Sequence, residues 1–591
     1  MENNTFHKRW GAEFIADNAV RFRVWAEGQT SLTLRLAGRE LAMTRSPDGW
    51  FEIEAADVAH GDEYQFLLAD GTAVADPASR AQADSVNGPS LVIDPRRYPH
   101  RQTAWRGRPW EETVVYELHI GTFTPEGTLR AAIERLPYLA GIGITQLEVM
   151  PVAQFGGSRG WGYDGVLLYA VHSAYGTPGD FHAFIDAAHA LGLSVVLDIV
   201  LNHFGPEGNY LPTLSPGFFD SARMTPWGNG IAYQNPAVRD YIRDAPLFWL
   251  SEYRLDGLRF DAIDQIEDDP DDHVLVEIAQ RIRQHLPDRH VHLTTEDSRN
   301  VIFLHPRDED GGAPLFTGEW NDDYHNAAHV FATGETRGYY QDFAERPGEK
   351  LARAMAEGFA YQGEVSPQTG EPRGVPCLGQ PPSFFVDFIQ NHDQTGNRAQ
   401  GERLIALAGA DATRILQAAL LLSPHVPLLF MGEEYGETRP FLFFTDFHGE
   451  LAKAVREGRA KEFAGHAGHG DAVPDPNDLE TFRRSKLDWQ RMQSADGQAW
   501  LALVRALIAL RQRRIAPMIA LGAMAEGRVL QAEDRAVAVQ WRFDNVTLSL
   551  ALNLDSDALP DLPGEVLFRW PRAQDAQGAI IVCLADGDNA L

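Results

Sequence analysis

Cysteine is nearly absent: Cys377 and Cys583 are the only two in 591 residues, which excludes a disulfide framework and the multi-cysteine zinc spacings. No apolar run reaches the roughly 18 residues a transmembrane helix needs. Positive charge is scarce, 52 Lys and Arg against 83 Asp and Glu, for a formal net charge of −31. A surface of that sign repels phosphate backbones and anionic lipid, so nucleic acid and membrane are excluded as partners and a neutral substrate is expected. The opening residues lack an apolar signal core, and with the low cysteine content the expectation is a soluble, cytoplasmic protein. Neither a phosphate-binding loop nor a dinucleotide fingerprint at a strand–helix turn occurs, so no cofactor is expected. No ligand cluster argues for a metal either.

What is present divides by texture, and a chain this long implies roughly two to four domains. Residues 1–105 carry short alternating runs such as 20–25 (VRFRVW) and 31–36 (SLTLRL), the pattern of a β-sandwich. A Pro- and Arg-rich passage, 94–110, reads as a linker. Over 106–514 the chain alternates apolar strand-like runs with amphipathic helical segments. Strands are predicted at 114–119, 145–149, 194–199, 257–261, 292–296, 315–320, 383–390 and 426–431, and helices at 129–140, 181–191, 237–253, 274–286, 404–422 and 498–511. Eight such strands with intervening helices predict an α/β fold, a (β/α)8 TIM barrel. An excursion is expected at about 203–235 and an insertion at about 437–489, where the barrel would carry loops. Alternation returns over 515–591, predicting a C-terminal β-sandwich. The charge run 268–272 (DDPDD) reads as a solvated helix entry.

Polar residues gather where the predicted strands end, the face on which a barrel builds its site. Asp198 stands at the end of one strand and Asn202 and His203 follow it; Arg259 and Asp261, two residues apart, share a face of the next. A guanidinium beside a carboxylate keeps it ionised, as a nucleophile requires. Glu296 ends another strand, where a cleft dehydrated by substrate raises a carboxyl and lets it carry a proton. His392 and Asp393 follow a fourth and suit sugar hydroxyls and developing positive charge. Taken singly, each is more often a helix cap, an ion pair or a bonded histidine.

Together, the segments DIVLNH (198–203), DGLRFDAID (256–264), TTEDSRN (294–300) and FIQNHDQ (388–394) resemble the four ordered regions of the α-amylase superfamily. The resemblance implies Asp261 as nucleophile, Glu296 as general acid/base and Asp393 as transition-state stabiliser. It implies Asp198, Asn202, His203, Arg259 and His392 as supports of the nucleophile and lining of the adjoining sugar subsite. Tyr163, with Trp161 beside it, matches the aromatic on which that sugar stacks, although both also suit ordinary packing.

Within the superfamily, 74–80 resembles the module preceding the barrel in branching, debranching and trehalose-releasing enzymes, and among these the sequences at 116–124, 159–165, 296–300, 319–325 and 390–398 are similar to those of the maltooligosyltrehalose trehalohydrolases. That group cleaves the α-1,4 bond next to the terminal trehalose of a malto-oligosaccharide. Two positions depart from the expected pattern: Glu296 is followed by Asp-Ser-Arg, and Glu319 stands in place of Gln. Asp322, Asp323 and His325 fit contacts to the leaving trehalose and equally a capped, tied loop. Glycogen branching and α-1,6 debranching share the chemistry and stay open, as does a non-catalytic glucan-binding barrel. A direct nucleophile requires the two carboxyl groups roughly 5 to 5.5 Å apart, with retention of anomeric configuration.

Overall fold

The computed structural model describes residues 6–309, 311–463, 473–521, 526–571 and 577–586. In the strand Ala19–Trp25 alternate residues Val20, Phe22 and Val24 are fully buried, as period-2 patterning dictates. It joins Gly11–Ala16, Trp50–Ala56 and Thr44–Arg45 in one antiparallel sheet. A second sheet holds Arg39–Ala42, Thr33–Leu36, Glu63–Leu67, Ala73–Val74 and Ser90–Leu91. The sheets meet through Phe22 and Tyr64, whose rings lie 4.9 Å apart edge to face.

The eight apolar runs form parallel strands: β1 (Val115–Leu118), β2 (Gln146–Val149), β3 (Ser194–Ile199), β4 (Gly257–Phe260), β5 (His292–Thr295), β6 (Gly318–Trp320), β7 (Phe385–Phe388) and β8 (Val426–Phe430). They close into a barrel in chain order, β1 pairing with both β2 and β8. Every residue in them is buried, because helices cover the outside and side chains fill the inside. The helices used below are α1 (Pro178–Ala190), α2 (Pro236–Glu252), α3 (Val274–His285), α4 (Asp322–Thr333), α5 (Pro347–Glu357), α6 (Ala410–Leu422) and α7 (Ala495–Leu510). Thr177 and Asp180 start α1 with a capping box. The single helix expected at 129–140 is two, Leu129–Ile133 and Leu136–Ile142. Pro137 explains the break, since it lacks an N–H and its ring opposes the carbonyl four residues earlier.

The charge run 268–272 turns once, as Pro270–Asp272, and leads into α3, with Asp268 accepting from Val274 N at 2.8 Å. After β3 the excursion contains a hairpin of Phe219–Thr225 with Gly228–Ile231. After β8 the helices Gly449–Phe463 and Leu479–Arg484 lie within the predicted insertion, of which 464–472 falls outside the described residues.

Five strands follow the barrel, β9 (Glu526–Glu533), β10 (Ala536–Phe543), β11 (Val546–Asn553), β12 (Glu565–Trp570) and β13 (Ala579–Asp586), in the order β9-β10-β11-β13-β12. Among the described residues of the segment expected as a sandwich, these strands form one sheet, and it packs on α5 and α6 of the barrel. Trp541 donates to Met355 O at 3.0 Å. The backbones touch: a Cβ on Gly348 would lie 1.7 Å from Glu533 O, and one on Gly527 1.6 Å from Ala356 O. The amphipathic helix supplies the apolar layer that another sheet would have supplied. No helix among the described residues is long and apolar enough to cross a membrane.

Candidate active site

Parallel pairing sets the residues after the strands side by side. Asp261 N bonds to Ile199 O at 3.1 Å and Glu296 N to Phe260 O at 3.1 Å, so the ladder of β3, β4 and β5 continues one step past the strands. Gly257 permits the close approach of β4 to β5, since a Cβ there would stand 2.2 Å from His292 O. Immediately after Asp261 the chain turns through Ala262, a left-handed residue at φ 42° and ψ 53°. That turn aims its N–H at Glu296, which accepts on Oε2 at 2.7 Å. A non-glycine residue held in that region stores backbone strain at the site.

Arg259 is the centre. Its buried guanidinium donates from Nη1 to Asp198 Oδ2 at 2.9 Å and to Asp261 Oδ1 at 2.7 Å, and its Nη2 lies 3.4 Å from Glu296 Oε2. Trp320 backs it, 4.2 Å from guanidinium carbon to ring centroid. One cation therefore spans three carboxylates from three strands. Burial pushes Glu296 well above the ordinary glutamate range; Arg259 opposes the rise, and the charges of Asp261 and Asp322 add to it. Burial also raises Asp198 to about 6 against the pull of Arg259. Asp393 opens to the cleft, yet loss of solvent outweighs the attraction of His392 and raises its carboxyl too. The site thus holds one carboxyl suited to keeping a proton and one clamped by a guanidinium.

Tyr163 donates to Asp198 Oδ2 at 2.7 Å and stacks on His392 with centroids 5.0 Å apart. Trp161 lies behind that pair, 6 % exposed, its indole donating to Leu442 O at 3.0 Å and stacked on Phe441. It is a wall for His392 and not an open face of the cleft. His203 spends both ring nitrogens on protein, Nδ1 with Asn202 Oδ1 at 2.8 Å and Nε2 with Tyr163 O at 2.9 Å. Asn202 in turn donates to Ala262 O at 3.4 Å, tying this loop to the turn after Asp261.

The three residues grouped after β6 separate. Asp322 lines a cleft of about 660 Å³ together with Glu296, Arg299, Tyr339, Arg373 and Asp393. Asp323 does not: it is fully buried and accepts from Asn300 Nδ2 at 2.8 Å, Tyr361 N at 2.9 Å and Arg373 Nη2 at 2.6 Å. His325 is likewise buried, bonded to Ile389 O at 3.1 Å and stacked on Phe388. For these two the loop-tying role replaces the leaving-group role, because α4 turns about 100° per residue and carries them off the cleft wall.

Several cleft residues escaped the sequence reading. Tyr339, Arg373 and Gln394 line the cavity, and Gln394 donates to Asp322 Oδ1 at 3.3 Å. Only Gln394 carried a signal, as the neighbour of Asp393 in the segment 388–394. Glu117, in β1, is bound to His392 and was visible as one charge within an apolar strand. Among the described residues no group of three or more His, Cys, Asp or Glu is placed to hold a metal ion.

The family model described as "Alpha amylase, catalytic domain" matches residues 79–214 and 228–505. A malto-oligosyltrehalose trehalohydrolase from Deinococcus radiodurans is 43 % identical over 85 % of this chain and 83 % of its own length. Another of that name from Rhizobium sp. (strain M-11) is 39 % identical over 93 % of this chain and 94 % of its own. Among solved structures, a putative α-amylase from Salmonella typhimurium is 67 % identical with a TM-score of 0.96, covering 98 % of this chain and all (100 %) of that one.

Proposed function

Because this chain belongs to the α-amylase family, we propose that it is a glycoside hydrolase that cleaves the α-1,4 bond next to the terminal trehalose of a malto-oligosyltrehalose, releasing trehalose. For the specificity, the support is that relatives carrying the trehalohydrolase name align over most of both chains. For the chemistry, it is that one guanidinium bridges Asp261 and Glu296.

In this reading Glu296 gives its proton to the glycosidic oxygen as the bond to the anomeric carbon breaks. Asp261 attacks that carbon from the opposite face and forms a glycosyl ester. Water, deprotonated by Glu296, then cleaves the ester, and two inversions leave the configuration retained. Arg259 donates to Asp261 Oδ1 and holds that oxygen aimed. Asp393 and His392 face the hydroxyls of the sugar being attacked, Tyr163 packs on its ring, and Asp322 lies on the side of the leaving group. Asp198, Asn202 and His203 act behind these, holding Tyr163, Arg259 and the turn at Ala262. The 1–105, 106–514 and 515–591 divisions serve as flanking module, catalytic barrel and closing sheet.

Incubation with maltotriosyltrehalose and, separately, with amylopectin distinguishes the products. Chromatography is expected to show trehalose and maltotriose from the first. New α-1,6 branches or debranched chains from the second, with no trehalose from the first, would overturn the specificity. Proton NMR of the fresh reducing end is expected to show the α-anomer; a β-anomer would overturn the direct-nucleophile role of Asp261.

A further inference from the structure

Glu117 is 1 % exposed and takes no part in the reaction above. It nevertheless accepts twice from one residue: from His392 N on Oε2 at 3.0 Å and from His392 Nδ1 on Oε1 at 2.5 Å. The register of β1 against β2 places Glu148 directly beside it, and Glu148 Oε1 is a buried oxygen without a hydrogen-bond partner. Two neighbouring carboxylates do not both ionise cheaply, and burial together with the charge of Glu117 drives Glu148 well above its ordinary range. Of the two, Glu117 is the member with two donors, both from His392. The ring of His392 is stacked on Tyr163 and edged by Trp161, 5.5 Å away at 89°. With Nδ1 committed to Glu117, Nε2 lies on the far side of the imidazole.

We propose that Glu117 is a positioning residue: its carboxylate accepts a hydrogen bond from the Nδ1–H of His392, fixes the tautomer and plane of that ring, and so presents Nε2 to the sugar. This rests on the hydrolytic reading in one respect, that His392 faces the sugar. Charged and titratable groups face the ring from every side: Glu117 from β1, His119 just after it, Tyr163, Asp198 from β3, Arg259 from β4 and Asp393 on its own turn. Burial disfavours charge on His392, but Glu117 and Asp393 outweigh burial and Arg259, so its proton is held more tightly than usual.

Glutamine cannot replace this carboxylate, because its single carbonyl oxygen accepts one of the two N–H groups and its amide would donate to Nδ1, reversing the tautomer. Glu117→Gln is expected to lower kcat/KM on maltotriosyltrehalose about 10- to 100-fold, the usual cost of losing a partner that orients a histidine. In a His392→Asn background the same change is expected to cost less than about threefold, since the residue it acts through is gone. Equal losses in the two backgrounds would overturn the proposal and leave Glu117 a fold residue. The parent protein gives a second reading without substrate. In 15N-histidine-labelled protein, with His392 assigned by the loss of its signals in His392→Asn, Nδ1 is expected to stay protonated from about pH 6 to 9. A ring protonated on Nε2 alone overturns the proposal even if Glu117→Gln does not fold. Absence of trehalose release would sink the specificity and leave this measurement standing.

Discussion

Arg259 decides the chemistry of single residues here, because it neutralises part of a negative cluster that burial would otherwise force to take up protons. Asp261→Asn is expected to abolish turnover while substrate binding stays detectable by calorimetry; unchanged activity would remove Asp261 from the nucleophile role. In the proposed mechanism Glu296 must carry its proton to act as acid, so activity is expected to fall as pH rises through its raised pKa. Asp322 contributes one of the charges that raise it. Asp322→Asn therefore moves the alkaline limb of the kcat/KM profile to lower pH, and a limb that stays put or moves up would contradict this origin of the shift.

Elements enforce what residues need. The turn after β4 holds Ala262 at positive φ so that its N–H reaches Glu296. A β-branched side chain is poorly tolerated there, and Ala262→Val is expected to cost about 1–3 kcal/mol in thermal unfolding and to lower kcat, while Ala262→Gly is expected to unfold no more easily than the parent. On the outside of the barrel, β9 and α5 touch backbone to backbone at Gly348 and Gly527. Gly348→Ala is expected to lower stability by about 1–3 kcal/mol with kcat unchanged, since the clash lies with the closing sheet and not with the cleft.

At the scale of the whole molecule, the N-terminal sandwich is fastened to the barrel by buried charge. Arg80, in the Asp-Pro-Ala-Ser-Arg segment, lies 3.0 Å from Glu13 of the sandwich and donates to Glu252 of α2 at 2.9 and 3.0 Å. Removing the cation strands two carboxylates without solvent. Arg80→Met is expected to cost about 3–5 kcal/mol, read as a lowered Tm, and a silent substitution would show the staple to be dispensable.

The barrel was legible because strands buried on both sides must be apolar throughout, so eight runs such as 194–199 and 426–430 stood out from helices with one apolar face. Asp261, Glu296 and Asp393 were legible because each ends or closely follows such a run. The split at Pro137 was missed, although proline supplies the reason, and so was the replacement of a second C-terminal sheet by α5, because amphipathicity states that a face is covered but not by what. Glu117 and His392 stand 275 residues apart, and only barrel closure makes them partners. Asp322, Asp323 and His325 are neighbours in sequence, and only the rotation of α4 and the loops packed on it turn the first to the cleft and bury the others. Local patterning thus determined the elements and where charge was available. Tertiary contact decided which charges share a guanidinium, because distance and solvent exclusion arise only when separate strands converge.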